Sequence, residues 1–592
     1  MTSNPKTNTF QKWSSRDWTV CALLVLISGI LFCAGLSIRS LWGSEGRWAV
    51  IAREMVQSGN LFLPTINGEV YFDKPLLSYW AIIPFYLVFG MTEAAARLPS
   101  GIAAIALVAL VFAMGRDLFG ERTGIISAAL FLTSAMIVFW SRTASAEMLN
   151  LLAIWSMLWV FLRGARGGHF LHLLIFFCIG AAASFCKGPV AFAVAFAVVA
   201  AYSAVNVLFS FRGQALSWRF AKEQALNEYK WILSWQGFAA AAAAALLFVM
   251  FLLLPVFFTG SWDSVLLMWK ENVIRFVKPF DHVEPPYAYL VHSLVFSSPW
   301  TLVVLVSLWD IIVRCENDWK KRWLVVVTVT IFLFFTVSGS RRSYYILPIV
   351  PALVLIAGKS LSDWFESEEN IRRIIMKLAV IVTAVIPILV GAAMIYVYLK
   401  LEDFKHISEV ALGPLALAGG ITAIWFVLKN RAKRGFIFLF LLFFVLELWG
   451  FTIGMGMAEK KRTLKPFCLK ANEMLKGVDD DIIALYGVTN SSLIYYFKRD
   501  RALHNLKDPY EVDTFSEEHR EFFLIAEATL VPSIQGIYTE GEALAVLEQE
   551  PEGKRDRENS FVLIKIVQQS KRDIDEDEDN EGEEKDNKTV NQ

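Results

Sequence analysis

Two acidic and two basic side chains within residues 44–74 have the types and spacing that proton and phosphate chemistry requires. Glu45 and Arg47 lie two residues apart, and Asp73 and Lys74 are adjacent. A carboxylate can act as a general base, while Lys and Arg can hold phosphate oxygens. One interpretation is that Glu45 and Asp73 meet beside the two cations near a membrane surface. The alternative is a short hairpin that ends in an exposed Asp–Lys pair.

The chain that carries these residues has the composition of a membrane protein. Of its 592 residues, 56% are hydrophobic and 19% are charged, and the mean hydropathy is +0.48. Apolar blocks of about 20 residues, the length that crosses a bilayer as a helix, are separated by short charged loops. This pattern excludes a soluble enzyme, a disordered chain and a collagen-like fibre. It predicts about thirteen spans, namely 18–38, 100–118, 123–141, 147–162, 170–186, 188–209, 237–259, 290–313, 323–339, 343–360, 374–399, 410–428 and 435–456.

The distribution of Lys and Arg predicts how these spans are oriented. Basic residues concentrate in alternate short loops, which marks those loops as cytoplasmic. The N-terminal segment 1–17 is also basic, so it should lie on the same side. Both conditions hold only if residues 39–99 form one external loop. The shorter apolar block at 77–90 is then re-entrant or interfacial, and an odd number of spans leaves the C-terminal segment outside.

Several cations fall on the predicted external side, against this bias. They are Arg47, Arg53, Lys74, Arg97, Arg142, Lys187, Lys270, Arg275, Lys278, Arg341 and Arg342. Snorkelling or a structural ion pair could account for any one of them. Charges near a membrane are nevertheless functional candidates. Together they suggest a cationic external cavity suited to an anionic ligand such as a lipid phosphate.

The external loop contains two predicted elements. Residues 44–58 have an apolar stripe with helical spacing, formed by Trp48, Ile51, Ala52, Met55 and Val56. We expect an amphipathic helix in the external membrane interface, with Ser44 as its N-cap. Its predicted polar face contains Glu45, Arg53 and Glu54. Asn67 and Gly68 then form the usual signal for a tight hairpin turn.

Seven segments carry a family resemblance, in order and over roughly residues 15–360. They are GSEGRWAVIAREM…NGEVYFDKPLLSYW, EAAARLPS, RDLFGERTG, SRTASAE, KGP, ENVIRF and RRSYYILPIVP. This pattern resembles the GT-C fold glycosyltransferases that use lipid-linked sugars. It is most similar to the bacterial aminoarabinose (lipid A) transferases and, more distantly, to the dolichyl-phosphate-mannose protein O-mannosyltransferases.

The resemblance implies thirteen spans, a cytoplasmic N-terminus and an external C-terminal domain, in a bacterial inner membrane. It also implies an inverting transfer, in which a sugar leaves a polyprenyl phosphate for an acceptor oxygen. No cofactor is required for that chemistry, and a divalent metal remains an alternative. The family's phosphate-holding positions fall on Arg47, Tyr71, Lys74, Lys187, Arg275, Tyr344 and Tyr345. Arg142, one of the external cations, completes the predicted binding set.

Four positions depart from the family pattern, and one of them is Asp73, which stands where Glu is usual. The acid commonly taken as the catalytic base is replaced by Ser44, and serine cannot act as an ordinary general base. Glu147 stands where Asp is usual, and Asn272 where the aminoarabinose transferases often have His. We therefore assign the base role to Glu45 or Asp73. The alternatives are an acceptor that is already ionised and a catalytically divergent member.

The composition changes after residue 456. Segments 480–488, 491–497, 521–531 and 560–568 are rich in β-branched and aromatic residues and are expected to be strands, while 540–551 is expected to be a helix. We predict a small external α/β domain over 457–568. Residues 571–592 carry ten acidic and four basic side chains, so 569–592 should be a disordered acidic tail.

The expected molecule is thus a polytopic all-α membrane protein of GT-C type, spanning over 18–456, with a small α/β domain. Its expected function is transfer of a sugar from a polyprenyl-phosphate donor to a glycolipid, such as lipid A, or to a protein. Its other partners are membrane lipids, and no nucleic acid is expected. The alternatives are a transporter or flippase of a lipid-linked anion and a glycosyltransferase-like subunit without activity.

Overall fold

The computed structural model describes residues 11–72, 74–211, 217–270, 274, 284–314, 318–366, 371–400, 412–499, 501–534, 543–549 and 560–567. The chain forms two compact units. The helical unit comprises the residues up to Arg39, Asn60–Pro64 and Phe72–Gly456. The α/β unit comprises Ser40–Gly59, Thr65–Tyr71 and the residues from Met457 onward.

The helical unit consists of α-helices with a few shorter turns. Its helices are Ser15–Cys33, Leu77–Trp80, Ile83–Phe89, Glu93–Phe119, Glu121–Leu132, Ala135–Ser141, Glu147–Arg163, Phe170–Lys187, Val190–Ser210, Trp218–Glu228, Lys230–Leu233, Trp235–Thr259, Asp263–Trp269, Ala288–Phe296, Thr301–Arg314, Trp319–Val337, Val350–Trp364, Ile371–Lys400, Leu412–Leu428 and Ala432–Trp449. A 3₁₀ helix, Ser343–Ile349, leads into Val350–Trp364, and a π-helix, Gly450–Gly454, follows Trp449. Helix Met455–Glu459 includes the boundary between the units.

Within the described residues, eight helices are long and apolar enough to cross a membrane, or ten if each of two bent pairs is one span. The chain is therefore a polytopic helical membrane protein, as predicted. Three further predicted spans coincide with the helices Glu147–Arg163, Trp319–Val337 and Leu412–Leu428. The count of thirteen stays a prediction. The block at 77–90 forms two short helices.

The two bent pairs meet at their breaks. Glu121–Leu132 and Ala135–Ser141 are bent by 66°, and Ala288–Phe296 and Thr301–Val313 by 112°. The backbone N–H of Ala135 donates to the Ser298 carbonyl at 2.9 Å, and the indole N–H of Trp300 donates to the Thr133 hydroxyl at 3.0 Å. Each break therefore supplies hydrogen-bond partners for polar groups at the other break, some of which the interruption of a helix has freed.

Close packing explains the second glycine, Gly124, in the segment RDLFGERTG. A Cβ on Gly124 would lie 2.6 Å from the carbonyl oxygen of Phe112, so only glycine lets helices Glu93–Phe119 and Glu121–Leu132 approach this closely. The charged residues of the same segment are also structural. Arg116 forms a buried ion pair with Asp17 at 3.0 Å, and Arg163 pairs with Asp117 at 2.7 Å.

The α/β unit contains a five-stranded sheet and a separate hairpin. The hairpin strands are β1 (Thr65–Ile66) and β2 (Glu69–Val70), and the sheet strands are β3 (Ile483–Tyr486), β4 (His504–Leu506), β5 (Glu521–Glu527), β6 (Ala543–Glu548) and β7 (Phe561–Val567). The sheet order is β4-β3-β5-β7-β6. Strand β3 is parallel to β4 and β5, while β7 is antiparallel to β5 and β6. The helices of this unit are Glu45–Ser58, Leu464–Met474, Ser491–Tyr496, Pro509–Glu518 and Val531–Ile534.

The predicted helix over 44–58 is present as Glu45–Ser58, but the prediction that one face is exposed is wrong. Glu45 and Arg53 are both buried, together with Trp48, Ile51 and Met55. The Arg53 guanidinium donates to the carbonyl oxygens of Tyr495 and Ile494. The helix therefore buries two residues of its predicted polar face as well as its apolar stripe, while Gln57 and Ser58 at its C-terminal end are exposed. Sequence periodicity missed this because it records apolar residues and not the carbonyls that a buried arginine can satisfy.

Two secondary-structure predictions in the C-terminal segment are also wrong. Residues 491–497 form the helix Ser491–Tyr496, because the Asn490 side chain accepts from the Ser492 N–H and caps it. Residues 543–548 form β6 at the sheet edge and not a helix, because they pair with β7. The strands expected within 480–488, 521–531 and 560–568 are confirmed.

Candidate functional site

An ion pair between Glu147 and Lys187 is the centre of the candidate site in the helical unit. Glu147 is the first residue of helix Glu147–Arg163, and Lys187 is the last residue of Phe170–Lys187. The Lys187 ammonium donates to both Glu147 carboxylate oxygens at 2.5 Å. Both side chains are largely buried. Two helix ends thus hold opposite charges together in a low-dielectric setting, where charge interactions are strong.

Two tyrosines complete this cluster. Tyr344 and Tyr345 lie in the 3₁₀ helix Ser343–Ile349, and the Lys187 ammonium lies 5.4 Å and 5.0 Å from the centres of their rings. The rings face each other edge-on at 5.1 Å. A cation so held between a carboxylate and aromatic faces is positioned for an anionic ligand. The sequence singled out Lys187 and both tyrosines, and the structure brings them together with Glu147.

A cavity of about 330 Å³ adjoins this cluster. Its lining is mainly apolar and includes Glu147, Lys187, Tyr345, Phe334, Phe335 and Leu347. Two polar side chains also face it, Asn150 and Ser340, which are 5% and 4% exposed. Among the described residues, neither the Asn150 carboxamide oxygen nor the Ser340 hydroxyl has a hydrogen-bond partner.

Sequence reasoning missed Asn150 and Ser340. A signal for Asn150 was present, because a residue three positions after Glu147 lies on the same helix face. Buried polar groups normally have partners, so unpartnered ones beside a cavity indicate where a polar ligand group would bind. Ser340 carried no comparable pattern in the sequence.

Three basic residues that the sequence placed outside donate to backbone carbonyls or to a tyrosine hydroxyl. Arg341 donates to the Thr336 carbonyl at 3.0 Å, and Arg342 donates to the Tyr344 hydroxyl at 3.1 Å. Arg142 donates to the carbonyls of Leu31 at 2.8 Å and Phe451 at 3.1 Å. It also donates to Ala34. The Leu31 and Ala34 carbonyls lie at the C-terminal end of helix Ser15–Cys33, where carbonyls lack partners within the helix. The Phe451 carbonyl belongs to the π-helix Gly450–Gly454. The geometry therefore supports a structural task for Arg142 and not the predicted phosphate-binding role.

Three predicted site residues lie in the α/β unit. The Glu45 carboxylate is fully buried and accepts from the Trp42 backbone N–H at 3.0 Å. Arg47 donates to the Tyr71 hydroxyl at 2.8 Å. Ser44 precedes the helix but its side chain does not cap it. The Glu45 carboxylate instead bonds to the chain that precedes the helix. Because the side chain is fully buried there, it is not accessible to a substrate.

The remaining predicted residues are described only in part. Lys74 is half-buried and precedes helix Leu77–Trp80. Asp73, Arg275 and Asn272 lie outside the described residues. Within the part of the chain that the structure describes, no group of three or more His, Cys, Asp or Glu side chains could hold a metal ion.

Comparison with known proteins adds a family pattern to this geometry. Residues 73–213 match the family model of dolichyl-phosphate-mannose-protein mannosyltransferases. The undecaprenyl phosphate-alpha-4-amino-4-deoxy-L-arabinose arabinosyl transferase of Shewanella sediminis is 23% identical, over 79% of this chain and 83% of its own length. The second such enzyme of Proteus mirabilis is 26% identical, over 57% of this chain and 58% of its own length.

Solved structures agree at the level of the fold. The crystal structure of ArnT from Cupriavidus metallidurans in the apo state has a TM-score of 0.68 at 17% identity, over 93% of this chain and 98% of that chain. The structure of the same protein bound to undecaprenyl phosphate has a TM-score of 0.67 over the same shares. This chain therefore has the GT-C fold, and it resembles the membrane glycosyltransferases that use lipid-linked sugars, with aminoarabinose transferases among its relatives.

Proposed function

We propose that this chain is an integral membrane glycosyltransferase that moves a sugar from a polyprenyl-phosphate donor to a glycolipid acceptor. The observation that carries the proposal is the Glu147–Lys187 ion pair. It lies beside the Tyr345 ring and lines a mainly apolar cavity. A cation beside apolar walls suits a ligand with a phosphate and a lipid chain. The fold shared with ArnT and the names of the curated relatives support the same donor class.

The proposed reaction is a single inverting displacement. The acceptor oxygen attacks the anomeric carbon while the bond from that carbon to the phosphate oxygen breaks. The lipid phosphate leaves with the bonding electron pair, and the acceptor proton passes to a carboxylate base. Lys187 would stabilise the negative charge that develops on the leaving phosphate, and Tyr345 would help to hold the donor.

Asp73 is the base that we favour. Glu45 was an equal candidate from the sequence, but its carboxylate is buried and bonded to the Trp42 N–H. A general base must come within hydrogen-bond reach of the proton that it removes. Asp73 follows the hairpin and directly precedes Lys74, so a carboxylate and a cation are adjacent in the chain at this point.

The names of the relatives support a choice of transferred sugar and acceptor, and the basic loops support an orientation in the membrane. The relatives act on an amino-deoxy-arabinose donor by name, so we propose an aminopentose as the transferred sugar. We propose lipid A as the acceptor, with a protein hydroxyl as the alternative. The site would face the periplasm, with the N-terminus in the cytoplasm.

A transfer assay with the full chain in detergent tests these proposals. Undecaprenyl phosphate carrying aminoarabinose, and separately mannose, would be supplied with lipid A or a Ser/Thr peptide, and products would be identified by mass spectrometry. We expect aminoarabinose on lipid A, with loss in Asp73→Asn and Lys187→Ala and retention in the exposed control Arg520→Ala. Absence of product from every donor and acceptor pair would contradict the enzyme proposal. Full activity in Asp73→Asn would exclude Asp73 as the base.

A further inference from the structure

The α/β unit contains a second, larger cavity of about 790 Å³. Its walls are the loop that precedes helix Glu45–Ser58, the β1–β2 hairpin and the loop 488–492. The loop 488–492 follows the carboxyl end of β3, and Asn505 of the parallel strand β4 also lines the cavity. Ligands of α/β proteins commonly bind outside the carboxyl ends of parallel strands. The volume is within the range of pockets that hold small ligands.

Hydrogen bonds fix these walls in place. The Asn67 side chain at the hairpin turn donates to the Leu503 carbonyl at 2.9 Å and accepts from the Leu503 N–H at 2.8 Å. The Asn505 carboxamide donates to Glu69 of β2 at 3.1 Å. On the opposite wall, the Leu41 N–H donates to the Tyr496 hydroxyl at 2.6 Å. These bonds hold the cavity walls in one arrangement, and a site with ordered walls lowers the entropy cost of binding.

The lining has the chemistry of a saccharide site with an anionic substituent. Trp42 is 51% exposed at the cavity and offers a flat aromatic face. The Thr489 hydroxyl can both donate and accept hydrogen bonds, and the Asn490 carboxamide, whose oxygen caps helix Ser491–Tyr496, can donate through its NH₂ group. Arg462 adds a guanidinium group, beside Arg47, which the family resemblance assigns to the donor phosphate. Among the described residues of the lining, Glu69 is the one carboxylate. Arginine is suited to phosphate oxygens because its donors match their geometry.

We propose that this cavity binds the phosphorylated saccharide head group of the acceptor glycolipid. Trp42 would stack on a sugar ring, and Arg462, which lies 3.8 Å from Glu459, would bind the phosphate. This assignment rests on the proposed function, since it names the place where the acceptor of that reaction is recognised. It would give the α/β unit the task of selecting the acceptor.

A binding measurement on the full chain in detergent tests the site without requiring turnover. The ligand is the water-soluble glucosamine disaccharide bisphosphate, compared with the unphosphorylated disaccharide, inorganic phosphate and a Ser/Thr peptide by calorimetry. We expect Arg462→Ala to weaken binding of the bisphosphate about 10- to 100-fold through the loss of a contact to a charged group. We expect Trp42→Ala to weaken it about tenfold through the loss of stacking on the sugar ring. Arg520→Ala, an exposed arginine of the same unit outside this cavity, is the matched control and should bind normally.

The outcomes separate this site from the proposed enzyme activity. Equal binding by the wild type, Trp42→Ala and Arg462→Ala would overturn the site, as would tighter binding of the peptide than of the disaccharide bisphosphate. If the wild type binds the bisphosphate through these residues but transfers no sugar, the enzyme proposal fails and the site stands. In an active enzyme, the two variants should raise KM for lipid A and leave KM for the donor unchanged. The buried Cys468 should stay unreactive in both variants if they fold.

Discussion

Lys187 is held by a carboxylate on one side and by two aromatic rings on the other. Replacing Lys187 with Ala leaves the Glu147 charge buried without its partner, which typically costs about 3–5 kcal/mol in stability. We expect Lys187→Ala to lower kcat/KM about 100-fold or more, equivalent to about 2.7 kcal/mol, and to lower the thermal midpoint. The double variant Lys187→Met/Glu147→Gln should recover the midpoint but not the activity.

That double variant separates folding from catalysis. Thermal unfolding in detergent reports stability, and initial rates of sugar transfer report function. If activity returns together with the thermal midpoint, Lys187 is a structural residue and the phosphate assignment is wrong.

Asn150 and Ser340 allow a second test at the same scale. The Asn150 carboxamide oxygen and the Ser340 hydroxyl are buried and have no partner among the described residues. Their removal should therefore change the free energy of unfolding little. We expect Asn150→Leu and Ser340→Ala to keep or raise the thermal midpoint, while KM for the lipid-linked donor rises about tenfold through the loss of one or two ligand hydrogen bonds. Unchanged donor KM in both variants would show that the cavity does not receive the polar part of the donor.

The sequence predicted part of this site because charge and chain position carry part of the information. Lys187 was recognisable as a cation on the predicted external side, against the usual charge bias. Tyr345 was recognisable by the motif RRSYYILPIVP that contains it. Arg142 satisfied the same criterion, yet its guanidinium donates to carbonyls at the end of helix Ser15–Cys33. Glu45 has a carboxylate, as a general base requires, but the carboxylate accepts a hydrogen bond from the Trp42 N–H. Neither backbone partner can be deduced from residue types.

At the scale of elements, Gly46 permits the contact between the helices Glu45–Ser58 and Ser491–Tyr496. A Cβ on Gly46 would lie 2.5 Å from the backbone nitrogen of Ser492 and 2.8 Å from its Cα. Since backbone must move to relieve such overlap, we expect Gly46→Ala to destabilise the α/β unit by about 1–3 kcal/mol. Gln57→Ala, an exposed change on the same helix, is the control.

Cys468 provides the readout for this prediction. It is buried in the α/β unit, and burial raises the pKa of its thiol, so thiolate is scarce in the folded state. In a variant without the other cysteines, maleimide should label Cys468 faster in Gly46→Ala than in Gln57→Ala. Equal labelling rates across increasing urea would contradict the proposed close contact.

Local signals succeeded where structure is local and failed where it depends on a distant partner. Asn67 and Gly68 have φ of 52° and 76°, and positive φ at both central residues is what an Asn-Gly hairpin turn requires. Residues 543–548, in contrast, alternate weakly and become a strand through pairing with β7. The segment 491–497 has strand composition, but a single capping side chain starts a helix there.

At the scale of the whole molecule, the basic loops predict a testable orientation. In a chain lacking native cysteines, we expect Glu517→Cys in the α/β unit to react with a membrane-impermeant maleimide in intact cells with a permeable outer membrane. Lys429→Cys should react only after lysis. Both side chains are exposed, so burial does not limit the reaction. Labelling of Lys429→Cys in intact cells would reverse the assignment.

The membrane class and the fold could be predicted from composition and motif order, whereas the division into units could not. A hydropathy pattern treats residues 39–99 as one loop. The structure instead assigns 40–59 and 65–71 to the same unit as the residues from 457 onward. That assignment depends on contacts such as Arg53 with Tyr495, which no single-sequence pattern records.

This shared unit has a consequence for biosynthesis. Arg53 and its carbonyl partner on Tyr495 are 442 residues apart in the chain. At about 5–20 residues per second, the ribosome needs roughly 20–90 s to make the second after the first. During that interval the helix Glu45–Ser58 has no completed binding surface, and its buried arginine and apolar residues are open to proteases and chaperones. The α/β unit therefore finishes folding only after the last apolar helix is made, so its completion reports that the whole helical unit has been synthesised.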